Sequence, residues 1–301
     1  MCGIVGIFIK NSNLEADLGT YLASMLPQMT ERGPDSSGAA IYRDPVAKNS
    51  NKFTILADHK DYDWKALKTE LDANFKTKTK AKLSSHWDHA VLKVAAPAQD
   101  VYEWLNANHP NLSVNSIGEK IEIYKSLGLP EQFIERFDLA SISGTHAIAH
   151  TRMATESAIT TEHSHPFSTG QDLCLVHNGS LSNHNRLREI LKKRGISFQT
   201  DNDSEVAAGY LEWRLQEGDN LDQALANAIE DLDGFYTFAI GSKDGFAVMT
   251  DPIGCKPAVM AETDDWAAMS SEFRAIATLP GVENARIWEP APSQIYSWQR
   301  A

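Results

Sequence analysis

Apolar residues run without a polar break from Gly3 to Ile9 (GIVGIFI), a pattern that predicts a short strand buried on both faces. Leu14, Leu18, Tyr21, Leu22, Met25 and Met29 then recur at three- and four-residue spacing, which predicts a helix. Gly33, Pro34 and Gly38 punctuate ERGPDSSG as a loop, after which AAIYR resumes as a strand. THAIAHTR, ending at Arg152, reads as another strand, and DLCLVHNG, ending at Gly179, as a strand running into a turn. Ser182 is placed to cap a helix that continues through Arg194 and stops at Gly195. Residues 204–216 and 221–232 carry helical apolar spacing, and GFYTFAIG, GFAVMTD, KPAVMAE and WAAMS are four short strands separated by turn residues. Strands at both ends of the chain with helices between them predict a layered α/β domain with antiparallel sheets.

The pattern changes between about residues 44 and 139. This stretch holds FKTKTKAK, the strand candidate HAVLKVAAP and the helix candidate AQDVYEWLNANH. Lys76, Lys78, Lys80 and Lys82 alternate, as they would along one face of a strand. Such a row is ordinarily a solvated edge protected by lysines, and otherwise a docking patch for an acidic partner. The whole stretch reads as an insertion into one domain spanning residues 2–301.

Charge and cysteine content narrow the function classes. Lys+Arg number 28 against 40 Asp+Glu in 301 residues, a formal charge of −12, which argues against a nucleic-acid backbone or an anionic membrane as main partner. No apolar run approaches the roughly 18 residues a membrane span needs. The start MCGIVGIFIK lacks the basic stretch and cleavage pattern of a secretory signal. Cys2, Cys174 and Cys255 are odd in number and form no C-x-x-C pair; that suits a reducing cytoplasm and no disulfide framework.

Position 2 carries the candidate chemistry. A small residue after Met1 permits removal of the initiator methionine, leaving Cys2 with a free α-amine. A thiol near pKa ~8.5 is mostly protonated at neutral pH and needs a base. An α-amine titrates at about 7.7–8.0, so nucleophile and base can belong to one residue. Taken alone, Cys2 reads better as a small buried cysteine opening a strand, because buried free cysteine is common.

The order of motifs changes that balance. MCGIVGIF, RGPDSSG, AHTRMATES, HSHPF, VHNGSLSNH and DNDSE, followed by TDPIGCKP and MSSEFRAIA, resemble the class II glutamine amidotransferases. The resemblance covers roughly residues 2–43 and 140–298. It implies an α+β fold, a four-layer αββα sandwich of the N-terminal-nucleophile hydrolase type. It also implies that Cys2 attacks the side-chain amide of glutamine and releases ammonia. Asn178 and Gly179 would then be the oxyanion donors, a role that a rigid Asn-Gly turn suits. Arg152 would take the α-carboxylate, Asp203 the α-ammonium and Thr155 a hydroxyl or backbone contact, with Arg32 and Asp35 behind the amino terminus. Met153 stands where relatives usually carry an aromatic residue, and Glu156 brings negative charge close to Arg152.

By the same resemblance the chain is most like stand-alone amidotransferase subunits of glutamate-synthase-like complexes, including N-methylglutamate synthase. It would act with separate synthase subunits that carry flavin and iron–sulfur clusters, while needing no cofactor itself. A γ-glutamyl amidase or peptidase on the same fold, and a non-catalytic regulatory subunit, are the rival readings. His163, His165, Cys174, His177 and His184 have metal-binding side chains, but their spacing matches no structural zinc pattern, so no metal is expected.

Overall fold

The computed structural model describes residues 2–77, 79–153 and 159–300. Its first part contains β1 (Gly3–Ile9), α1 (Leu18–Met25), β2 (Ser36–Tyr42), β3 (Asn51–Ala57), α2 (Trp64–Asn74), β4 (Lys82–His86) and β5 (His89–Val94). There follow α3 (Ala98–Asn108), β6 (Leu112–Gly118), β7 (Ile121–Leu127), α4 (Pro130–Arg136), β8 (His146–Arg152) and β9 (Cys174–Leu181). The chain continues through α5 (His184–Lys193), α6 (Asp203–Gln216), α7 (Leu221–Asp231), β10 (Gly234–Ser242) and β11 (Gly245–Thr250). It closes with β12 (Val259–Glu262), β13 (Trp266–Ser270), α8 (Phe273–Ile276), β14 (Arg286–Trp288) and β15 (Ile295–Gln299).

Two antiparallel sheets stack face to face. One has the order β14-β12-β13-β1-β8-β2-β7 and the other β15-β11-β10-β9. The pleat of β1 shows why its apolar run has no polar break. Ile4 and Phe8 enter the layer between the sheets, against Val176, Ala239 and Phe246. Val5, Ile7 and Ile9 point the other way, onto Leu18, Leu22 and Met25 of α1. Beyond the second sheet, Leu187, Leu191, Val206, Leu211 and Leu225 of α5–α7 cover Leu175, Phe238 and Met249. Burying both faces of both sheets gives the helix–sheet–sheet–helix order, an α+β fold.

A third antiparallel sheet, β4-β5-β3-β6, has its own core around Phe53, Leu71, Leu92 and Leu105. Lys52 on β3 reaches Glu122 on β7 at 2.9 Å, both side chains buried, and Thr54 Oγ1 accepts the Ile123 N–H. Asp172 accepts the N–H groups of Glu119, Lys120 and Ile121, so one carboxylate clamps the turn between β6 and β7. Residues 121–127 pair with β2 and complete the large sheet.

Local expectations fail where a side chain finds a better partner. Ser182 is not the cap of α5: its hydroxyl donates to the Asp233 carbonyl, and the helix begins at His184 after Asn183. Among the described residues the lysine row forms no strand before β4 starts at Lys82; Lys78 lies outside the described residues. β14 and β15 were not legible in the pattern, because they are short edge strands with few fully buried positions.

Candidate active site

Cys2 stands one residue before β1, at the end where β1 lies beside β8 and β13. Because Gly3 pairs with Thr151, register places Cys2 next to Arg152 at the end of β8. Two side chains hold its main-chain carbonyl: Arg32 Nε donates at 3.0 Å and Asn178 Nδ2 at 3.3 Å. The thiol lies 3.9 Å from the Met153 carbonyl. Residues distant in sequence therefore converge on the nucleophile, and Asn178 comes from the opposite sheet.

Arg32 is itself fixed by Glu272, whose carboxylate accepts from Nη1 at 2.9 Å and from Arg274 Nε at 2.9 Å. Glu272 was missed by the sequence reading. Its signal is its place in MSSEFRAIA between β13 and α8, but only the fold brings it to Arg32. Asp35 sits in the adjacent turn, its N–H donating to the Arg152 carbonyl and its carbonyl accepting from Gly128.

Asn178 and Gly179 lie within β9, paired with Thr237 and Tyr236, and not on a hairpin turn as expected. Gly179 has φ +150°, and a Cβ there would come within 1.9 Å of the Phe235 carbonyl. The glycine is required because the neighbouring backbone approaches too closely for any side chain. The close approach fixes the strand beside Asn178, so a strand serves as the rigid mount that a turn was expected to be.

Arg152 is 5 % exposed. Burial lowers its pKa from the ordinary value, while Cys2 and Asp35 act in the opposite direction. Asp203 begins α6, with Asn202 as the cap that accepts the Ser204 N–H. Burial would raise the Asp203 carboxyl, yet His177, the Leu181 N–H at 2.9 Å and His184 outweigh it and bring it down to about 2. Asp203 is thus an anion at neutral pH, anchored to β9, the strand that carries Asn178. Thr155 and Glu156 lie outside the described residues.

The histidines with metal-binding potential are otherwise engaged. His163 bonds Thr160 and Asp201, His184 Nδ1 meets the Leu181 carbonyl, and buried Cys174 contacts the Tyr42 hydroxyl, burial pushing its thiol up to about 12. Among the described residues no group of three or more His, Cys, Asp or Glu side chains is arranged to hold a metal.

A family profile described as a glutamine amidotransferase domain matches residues 150–278. The glutamine amidotransferase-like protein GlxB of Rhizobium meliloti strain 1021 is 51% identical over 299 residues, 99% of this chain and 98% of that protein. The glutamine–fructose-6-phosphate aminotransferase of Vibrio parahaemolyticus is 37% identical over 121 residues, 40% of this chain and 20% of that one. In fold, the glutamine phosphoribosylpyrophosphate amidotransferase of B. subtilis matches with a TM-score of 0.57 at 20% identity. That match covers 99% of this chain, which spans about half (49%) of the larger protein.

Proposed function

Because this chain belongs to the class II glutamine amidotransferases, we propose that it hydrolyses the side-chain amide of glutamine through Cys2 and passes the ammonia to a separate synthase subunit. The observation that carries the reading is the grip on Cys2. Arg32 and Asn178 both hold its main-chain carbonyl, which fixes the residue that carries the thiol beside the Asn178 side-chain amide.

In this mechanism removal of Met1 exposes the Cys2 amine. The amine takes the thiol proton as Sγ attacks the side-chain carbonyl carbon of glutamine. Negative charge then develops on that oxygen, where the Asn178 Nδ2–H and the Gly179 N–H can receive it. Preorganised donors of this kind are worth about 3–4 kcal/mol each. The C–N bond breaks as the amine returns the proton to nitrogen, giving ammonia and a γ-glutamyl thioester. Water, deprotonated by the same amine, attacks the thioester carbon and releases glutamate and the thiol. Arg152 binds the α-carboxylate and Asp203 the α-ammonium, which requires two fixed opposite charges at the far end of the ligand. Thr155 is assigned to the same pocket, and Arg32 and Asp35 hold the strand ends that frame it.

A separate acceptor is supported by the surface around Cys2. Phe273, next to Glu272, is 41% exposed, Phe235 beside Gly179 is 49% exposed and Met153 is 36% exposed. Each of these exposed large apolar side chains neighbours a site residue, and such surface suits a partner better than water. The flavin- and iron–sulfur-bearing synthase, a glutamate-synthase-like assembly and a cytoplasmic setting belong to this proposal. No helix among the described residues is long and apolar enough to cross a membrane.

Steady-state turnover tests the reading. Glutamine should be hydrolysed to glutamate and ammonia with kcat/KM at least about tenfold above that for γ-glutamyl peptides. Comparable values would favour the amidase reading, and no turnover with or without a synthase would favour a regulatory subunit.

A further inference from the structure

Three motifs, HSHPF, VHNG and DNDSE, place one side chain each around a single buried hydroxyl. Ser204 Oγ is 2.8 Å from His165 Nε2, 2.9 Å from His177 Nδ1 and 3.3 Å from Asp203 Oδ1. Ser204 is 1% exposed, His177 3% and His165 6%. The other ring nitrogens, His165 Nδ1 and His177 Nε2, are buried and have no hydrogen-bond partner among the described residues.

Proton counting gives one consistent arrangement. A hydroxyl offers one O–H and two lone pairs, and three groups surround this one. If Ser204 donated to either histidine, that ring would carry its proton on the nitrogen without a partner. A stranded buried donor costs about 1–3 kcal/mol. Placing the protons on His165 Nε2 and His177 Nδ1 avoids this. Both N–H groups then fill the lone pairs of Ser204, and its single proton points at Asp203. A hydroxyl that accepts two hydrogen bonds is a stronger donor for the third. His150, its ring tilted against that of His165 with centroids 4.0 Å apart, meets the His177 carbonyl through Nε2 at 3.1 Å and backs the arrangement.

We propose that Ser204 is a positioning residue for glutamine recognition: His165 and His177 aim its hydroxyl at Asp203 and lock that carboxylate in the orientation that receives the substrate ammonium. Leu181 N–H holds the second carboxylate oxygen, so the group is fixed at both ends. This deepens the proposed function and rests on the assignment of Asp203 to the ammonium group.

The test combines kinetics with a substrate-free measurement. Ser204→Ala should raise the KM for glutamine about tenfold while kcat stays within twofold, and Ser204→Thr, which keeps the hydroxyl, should restore the KM. In the Asp203→Asn background Ser204→Ala should add nothing further. Carboxyl NMR titration should show Asp203 titrating at higher pH in Ser204→Ala than in the parent protein. His165→Phe, which removes one aiming N–H and leaves Ser204 in place, should raise both KM and that titration point in the same direction by less. A fall in kcat alone, an equal KM increase in the Asp203→Asn background, or an unmoved Asp203 titration would each overturn the proposal. Failure of the ammonium assignment would look different: Asp203→Asn alone would leave KM unchanged, while the titration would still report the Ser204 hydrogen bond.

Discussion

In the proposed mechanism single residues decide whether Cys2 reacts, and the roles proposed for Asn178 and Asp203 separate cleanly in kinetics. Asn178 donates to the Cys2 carbonyl at 3.3 Å, within reach of a charge that forms only during the reaction. Asn178→Ala should therefore lower kcat about 10²–10³-fold with little change in KM, measured by ammonia release at saturating glutamine. A change confined to KM would contradict the role. Asp203→Asn should do the reverse, raising KM with kcat nearly intact, because the ammonium contact is made equally in ground and transition states. Cys2, Arg32, Asn178 and Asp203 were singled out in sequence because each sits in a short motif whose order was informative, and the fold brings Arg32 and Asn178 onto Cys2. Glu272 and the Ser204 hydroxyl were not singled out. An acidic residue before a helix and a serine after an aspartate are ordinary in sequence, and they acquire meaning only when the fold supplies Arg32 and the two imidazoles.

Among elements, α6 combines two kinds of carboxyl. Its first turn supplies Asp203 and Ser204, and further along it carries Glu212, a half-buried carboxyl with the Gln216 amide at 3.0 Å. Burial pushes Glu212 up from 4.5 to about 7. The sign follows from linkage: between about pH 4.5 and 7 the folded chain keeps a proton that the unfolded chain has lost, so stability falls as pH rises through that window. Glu212→Gln should relieve about 1–2 kcal/mol above pH ~7, after allowance for solvent screening of a half-buried group. Urea midpoints at pH ~8 and ~4.5 would check this; an equal shift at both would contradict it. Helices and interior strands were legible because their periodicity is enforced by burial on known faces. The cap at Ser182 and the Asn-Gly turn were misread for a common reason. Asp233 and the β10 backbone, both far along the chain, took the partners that local chemistry would have used.

Two of the molecule's three sheets form a sandwich whose shared interior contains histidines as well as apolar side chains. Burial holds His146 and His150 down at about 3, against an ordinary 6.5. Below pH 6.5 the unfolded chain takes up protons that these residues refuse in the fold. Stability is thus fully present above that value and falls on acidification, by about 1 kcal/mol per pH unit for each group. Two such histidines outweigh the opposite contribution of Glu212, so denaturation midpoints should drop between pH ~6.5 and ~4; a flat profile would contradict the burial argument. The sandwich was legible from strand and helix order together with the family resemblance. The third sheet appeared in sequence as separate strand and helix candidates, because its lysine-rich approach to β4 masked the pairing. At this scale too, Phe273→Glu should leave glutamine hydrolysis by the isolated chain unchanged while weakening capture of the synthase, read by co-purification of the complex. Undiminished co-purification would place the acceptor elsewhere. The catalytic expectations descend from the proposal that one amino acid acts as both nucleophile and base. Intact-protein mass spectrometry of active enzyme, after brief treatment with an electrophilic glutamine analogue, tests that directly. The account predicts a chain that begins at Cys2 and carries a single adduct on that residue; active protein that retains Met1, or an adduct mapped to another residue, would contradict it.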